Sequence, residues 1–214
     1  MGMITFGIPE RIALELSTIH GVSVFIETGT YHGQTAKWAS AHFDEVHTIE
    51  QSTSLFDTHS KALENVPNIK PYCGDSRDIL PAIVDNLGDR KAMYWLDSHW
   101  FGGETAGQND QCPLLGELQL LAKRTQDIIL IDDARLILTA PPMPHNPSYW
   151  PTIADVVHAL PDGGKKSCVQ VVDDVIFIVP DEEPVKSRLI TYTKRRSNLF
   201  WQDYQQRHHK MHST

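Results

Sequence analysis

Short apolar runs of strand length alternate with amphipathic segments of helix length along most of this chain. That alternation restricts the fold more than any other feature. The strand-like runs cover residues 22–27, 45–50, 69–73, 92–97, 128–132, 168–172 and 175–179. Helical periodicity falls between them, over 34–41, 53–65, 77–87, 113–123 and 152–160. Strand, helix, strand in repeated succession predicts an α/β domain built on a mostly parallel sheet. Only Asp173-Asp174 separates the last two runs, which is the length of a hairpin turn. The final strand is therefore expected to run antiparallel to its neighbour.

The chain has 214 residues, enough for one domain at about 150 residues each. We place that domain over 1–185, with a C-terminal helix or tail over 186–214. Two connections are long for a compact domain: 98–112, with three glycines, and 134–151, with five prolines. Both follow strands at their C-terminal ends, where open α/β sheets bind ligands, so both are expected to shape a substrate site.

Composition narrows the partners. Nineteen basic residues against 27 acidic ones leave a net charge of -8, which argues against a broad electropositive face for nucleic acid. The one basic cluster, Lys194-Arg195-Arg196, reads as a solvated helix face. The longest apolar stretches are strand-sized, far short of the ~18 residues of a spanning helix, and residues 1–10 carry no export pattern. Cys73, Cys112 and Cys168 are widely spaced, as reduced intracellular thiols are. The expected location is the cytoplasm, with neither nucleic acid nor membrane as partner. His208, His209 and His212 crowd a polar tail, where a metal role is the less natural reading.

The stretch Glu27-Thr28-Gly29-Thr30-Tyr31-His32-Gly33-Gln34-Thr35 follows the first strand and opens a helix. Gly29 permits a tight turn, and Gly33 permits close helix–strand packing. Tyr31 stands where a dinucleotide fingerprint needs its second glycine. A phosphate-cradling loop is also missing, because Gly163-Gly164-Lys165-Lys166-Ser167 lacks the distal glycine. Acid takes the place of phosphate chemistry. Glu50 ends the second strand and can accept both hydroxyls of a ribose. Glu27 sits at the tip of the first, either as a partner for the next helix N-terminus or beside a cationic ligand. A cationic nucleoside suits this arrangement better than a polyphosphate.

These segments, with Gly74-Asp75-Ser76-Arg77-Asp78 and Leu96-Asp97-Ser98-His99-Trp100, resemble the ordered motifs of class I S-adenosylmethionine-dependent methyltransferases. Gly29, Tyr31, Gly33 and Thr35 make the chain most similar to the catechol-type metal-dependent O-methyltransferases. The likeness spans about residues 20–180 and implies a Rossmann-like, seven-stranded sheet with its last strand antiparallel and helices on both faces. It implies a site for S-adenosylmethionine made by Glu27, Gly29, Thr30, Tyr31, Gly33, Thr35, Glu50, Asp75, Ser76, Arg77 and Asp97. Within it Glu50 would take the ribose, Ser76 and Arg77 would flank the adenine, and Glu27 would lie near the amino-acid end. Ser76 could equally cap the helix that follows it.

Asp97 ends the fourth strand, and Asp132 and Asp133 end the fifth. In a parallel sheet those ends are neighbours, so three carboxylates converge and a cation is needed among them. Oxygen-only ligands suit a divalent cation such as Mg²⁺. The resemblance implies a metal here too, although Asp133 stands where the family carries an amide. The family's lysine base is also absent, since Phe101 follows His99-Trp100. His99 is either the base in its place or a stacking residue, with Asp97 beside it. Glu104 and Arg135 are further polar candidates on the two long loops. The expected activity is metal-assisted methylation of a small hydroxylated molecule. Metal-independent N- or carboxyl-methylation and a non-catalytic cofactor-binding module are the alternatives. Phe200, Trp201 and Tyr204 are bulky for a tail, and they either pack on the sheet or meet a second subunit in a homodimer.

Overall fold

The computed structural model describes residues 7–211, except for the side chains of residue 162 and of 208–211. The side chains of His208 and His209, and His212 entirely, lie outside the described residues. Seven strands form one sheet: β1 (Val24–Thr28), β2 (Glu45–Glu50), β3 (Ile69–Cys73), β4 (Ala92–Leu96), β5 (Ile128–Ile131), β6 (Ser167–Val172) and β7 (Val175–Pro180). Their spatial order is β3-β2-β1-β4-β5-β7-β6. β7 is antiparallel to β5 and to β6, and the other pairs are parallel. The two-residue turn between β6 and β7 has φ 50 at Asp173 and 67 at Asp174, the positive values that a tight right-twisted hairpin requires. The expected topology is the observed one.

The helices are α1 (Glu10–His20), α2 (Gln34–Ser40), α3 (Thr53–Leu55), α4 (Ser76–Leu87), α5 (Leu114–Leu121), α6 (Arg135–Leu138), α7 (Ile153–Ala159) and α8 (Val185–Met211). Strand side chains alternate between two cores, as the pleat demands. Phe25, Met93 and Trp95 face the layer of α1, α2 and α8. Val24, Ile26, Tyr94 and Leu96 face α4, α5 and α7. Near-complete burial on both faces explains why β1, β4 and β5 read as continuous apolar runs.

Three elements differ from expectation. α1 was not anticipated, although Ile12, Ala13, Leu16 and Gly21 at its C-terminal cap mark it. Residues 53–65 form no single helix: one α turn passes into a π turn (Phe56–Ser60) and a 3-10 turn (Lys61–Asn65). Thr53, Ser54, Asp57, Thr58 and Ser60 are weak helix formers, and the Thr58 hydroxyl donates back to the Ser54 carbonyl. Local packing, with Leu63 against Gly33, then decides the path. The third difference is in α8, which buries only its first half, so Phe200, Trp201 and Tyr204 do not pack on the sheet.

Candidate functional site

The parallel register brings the strand ends level. Thr28 pairs with Leu96, and Leu96 with Ile131. The next residues, Gly29, Asp97 and Asp132, form the rim above β1, β4 and β5. The chain leaves β1 towards one face of the sheet and β4 towards the other, which opens a crevice between them. Gly29 makes that crossing possible. Its φ is +90, and a Cβ there would lie 2.2 Å from the Asp97 carbonyl oxygen. A cleft of about 400 Å³ occupies this rim.

Of the expected cofactor residues, Gly29, Tyr31, Glu50, Asp75, Ser76 and Asp97 line the cleft. Glu27, Thr30, Gly33, Thr35 and Arg77 are not among its lining residues and act from behind it. Thr30 Oγ1 lies 2.6 Å from Thr48 Oγ1, which donates to Glu27 Oε2 at 2.5 Å. This buried chain fixes the glycine turn from below. Burial pushes the Glu27 carboxyl up to about 8, helped by the charge of Glu50 and opposed by hydrogen bonds from Thr48 and Thr35. The Glu50 carboxylate is held by its own turn: Oε2 accepts the Tyr31 N–H at 2.9 Å and Oε1 the Ser52 N–H at 2.8 Å. The Gln51 N–H also favours this carboxylate, and its acceptor sites still leave room for a further donor.

Asp75, and not Ser76, is the cap of α4, accepting the Arg77 N–H. Ser76 is the first helical residue, and its hydroxyl meets Glu117 on α5. Glu117 is almost wholly buried and also accepts from Ser98 at 2.8 Å. Arg77 forks onto Asp75, with Nε at 2.9 Å and Nη2 at 2.6 Å, and reaches Asp110 with Nη1 at 2.7 Å. The guanidinium expected beside an adenine ties the 98–112 loop to the tip of β3. The Ser52 hydroxyl, donating to the Glu104 carbonyl at 3.0 Å, ties it a second time.

The three aspartates converge as the strand ends require, but protein cations balance them. His99 Nε2 lies 2.7 Å from Asp133 Oδ2, and His99 Nδ1 lies 3.5 Å from Asp97 Oδ1. Arg135 Nη1 is 2.6 Å from Asp133 Oδ1 and also pairs with Asp174. Asp133 has a φ of 53, a backbone turned back on itself so that its N–H meets Asp132 Oδ1 at 2.8 Å. Burial raises Asp97 well above the usual carboxylate range; His99 opposes this, while Asp132 and Asp133 reinforce it. Burial and the charge of Asp133 push Asp132 up to about 6. Burial would raise Asp133 as well, but the hydrogen bond and charge of His99, with Arg135, bring it below its ordinary value. Burial would lower His99, yet Asp133 and Asp97 outweigh it and hold the imidazole above its ordinary value.

The expected metal set of Asp97, Asp132 and Asp133 comes together at the rim with His99 and Arg135 paired to it. Among the described residues no group of three or more His, Cys, Asp or Glu side chains is arranged to hold a metal ion. Like charges at the strand ends did require a cation. Two side chains from the adjoining loops supply it, and sequence distance concealed their arrival.

The long loops are joined to each other over His99. Gln111 Oε1 accepts from the Asn146 N–H at 2.9 Å and from Trp150 Nε1 at 3.2 Å. The His145 ring stands edge-on to Trp100 and Trp150, and Trp150 also meets His99, with centroids 5.5 Å apart. Trp150 therefore anchors the proline-rich loop, while Tyr149 stays exposed. Gln111, His145 and Glu117 were not singled out from sequence. The proline-rich composition of 134–151 was the only signal that this loop would hold a fixed shape.

Sheet order and rim geometry together define a Rossmann-like α/β fold with a ligand crevice at its rim. The chain is similar to the O-methyltransferase TomG from Streptomyces achromogenes, involved in tomaymycin synthesis and solved with SAM. The two are 18% identical with a TM-score of 0.54, covering 83% of this chain and 82% of that one. It is also similar to an O-methyltransferase from Bacillus cereus solved with SAH, at 14% identity and a TM-score of 0.50, covering 81% of this chain and 82% of that one. At such identities the likeness is one of fold. No family model and no curated protein matches the chain.

Proposed function

We propose that this protein is an S-adenosylmethionine-dependent methyltransferase that methylates a hydroxyl of a small molecule, with His99 as the base. One observation carries the reading: a single cleft is lined by both the Glu50 carboxylate and the His99–Asp133 pair. Glu50 ends β2 and Asp133 follows β5, three strand spacings away, or about 14 Å. That span suits a nucleoside with an amino-acid arm, with an acceptor beyond it. Buried acids raised by desolvation and by one another favour a ligand with positive charge, as a sulfonium has.

When bound, the cofactor supplies an electrophilic methyl group. Glu50 accepts from a ribose hydroxyl through its remaining acceptor capacity. Asp97 sets a negative field at the centre of the rim. Asp133 accepts from His99 Nε2 and so fixes the ring and its tautomer, which leaves Nδ1 to take the acceptor's proton. The joined loops hold Trp150 against the ring and limit the water that reaches it. The divalent cation enters no step, because Asp133 is already engaged by His99 and Arg135.

His99→Gln is expected to lower kcat by about 10²–10⁴-fold while leaving S-adenosylmethionine affinity within about twofold, read by calorimetry and by transfer of labelled methyl across an acceptor panel. Because His99 is raised, the ascending limb of the wild-type pH–rate profile should lie above the ordinary histidine value, about 6.5, and should vanish in the variant. An unchanged profile removes His99 as the base; absence of cofactor binding removes the whole reading. Turnover is expected to persist in EDTA. A Mg²⁺ requirement that is lost in Asp132→Ala would restore the metal reading.

A further inference from the structure

The last helix extends well past the body that anchors it. Its first half is docked by the buried Val185 and Leu189, and by ion pairs from Arg188 to Glu15 and from Arg196 to Asp173. From Ser197 through Arg207 every residue is exposed, yet the segment is helical throughout. Four large apolar side chains lie on this free half: Leu199, Phe200, Trp201 and Tyr204, between 43% and 57% exposed. Phe200, Trp201 and Tyr204 fall at i, i+1 and i+4, on one face of the helix. The Trp201 and Tyr204 rings stack 5.4 Å apart at 16°. An isolated helix of this length is marginal in water, and an apolar stripe of this kind marks an interaction surface.

Charge identifies what fits it. Seven of the 19 basic residues and one of the 27 acidic ones lie in α8, so the helix carries +6 and the rest of the chain -14. Two such helices repel each other. An anionic lipid surface would attract the helix but repel the body behind it. Eight of the 26 acids outside the helix are buried, and the other 18 still outnumber the 12 basic residues there, so a second copy of the chain offers the opposite sign. The docked half of α8 already uses the same chemistry, arginine onto the acids of its own body.

We propose that the free half of α8 is the interface for a second copy of this chain. Its aromatic stripe, with Lys194 two turns before Trp201 on the same side of the helix, seats on the acidic body of the partner. The exchange is reciprocal, as twofold symmetry allows.

Sedimentation velocity and light scattering on the full chain test this. A dimer is expected, with a dissociation constant weakened about tenfold or more when salt rises from about 0.1 to 1 M. Phe200→Ser combined with Trp201→Ser should give a monomer with unchanged circular dichroism. Lys194→Glu, which leaves the stripe intact, should also weaken association. A wild-type monomer at every concentration, or a dimer indifferent to both the serine pair and Lys194→Glu, overturns the proposal. So does co-sedimentation with phosphatidylserine vesicles that the aromatic substitutions abolish, which would assign the stripe to a membrane surface.

Discussion

Burial holds the Glu27 carboxyl protonated to about pH 8, and this makes the glycine turn a source of pH-dependent stability. In the unfolded chain a glutamate loses its proton near pH 4.5. Between there and about pH 8 the folded protein holds one proton more than the unfolded one. Stability therefore falls as pH rises across that window and levels off above it. Glu27→Gln mimics the protonated side chain. Thermal melts from pH 5 to 9 without cofactor should show a shallower decline in the variant, the difference reaching a few kcal/mol at about 1.4 per unit. Parallel curves would mean that Glu27 ionises freely. Gly29 gives a second expectation at this scale. Gly29→Ala forces a Cβ to 2.2 Å from the Asp97 carbonyl at a φ of +90. The strand tips must then part, costing roughly 2 kcal/mol or more and weakening cofactor binding, as a calorimetric titration would report.

The joined pair of long loops is the element on which the proposed base depends. Gln111 satisfies both a backbone N–H and the indole of Trp150, so Gln111→Leu leaves two donors without a partner. The expected loss is about 1–3 kcal/mol, with faster limited proteolysis inside 134–151 and a lower kcat from a less constrained His99. Proteolysis unchanged from wild type would mean that the prolines hold the loop by themselves. The strands and most helices follow from periodicity because each needs only its own residues to declare a buried face. The 53–65 segment did not, since its weak helix formers left the path to packing. The turn after β5 did not either: nothing local announces that Asp133 reverses and takes Arg135 and His99 as partners.

For the molecule as a whole, the residues proposed to hold the cofactor come from the tips of β1, β2 and β4 and from the start of α4, elements spread over the first half of the chain. A ligand bridging them stabilises the native state alone. S-adenosylmethionine at 100 times its Kd adds about 2.7 kcal/mol, a rise in Tm of roughly 5–10 °C for a domain of this size. A Tm unchanged by the cofactor would mean that it does not bind, and would remove the reading. α8 belongs to the same scale: its first half meets the acids of its own body, and the proposed dimer gives its second half the acids of a partner. The described helices include none long and apolar enough to cross a membrane, and Cys73, Cys112 and Cys168 are all free.

Periodicity and turn chemistry determined the sheet, its late hairpin and the level of its rim, because burial patterns and positive-φ turns are written in neighbouring residues. They also determined that Glu50, Asp97, Asp132 and Asp133 would face one crevice, since strand ends in a parallel sheet must align. Only the tertiary structure decided which groups neutralise those acids, that Arg77 restrains a loop, and that half of the last helix is left uncovered. Those outcomes depend on side chains brought together from distant segments, and neither charge pairing nor packing across such distances leaves a local mark in the sequence.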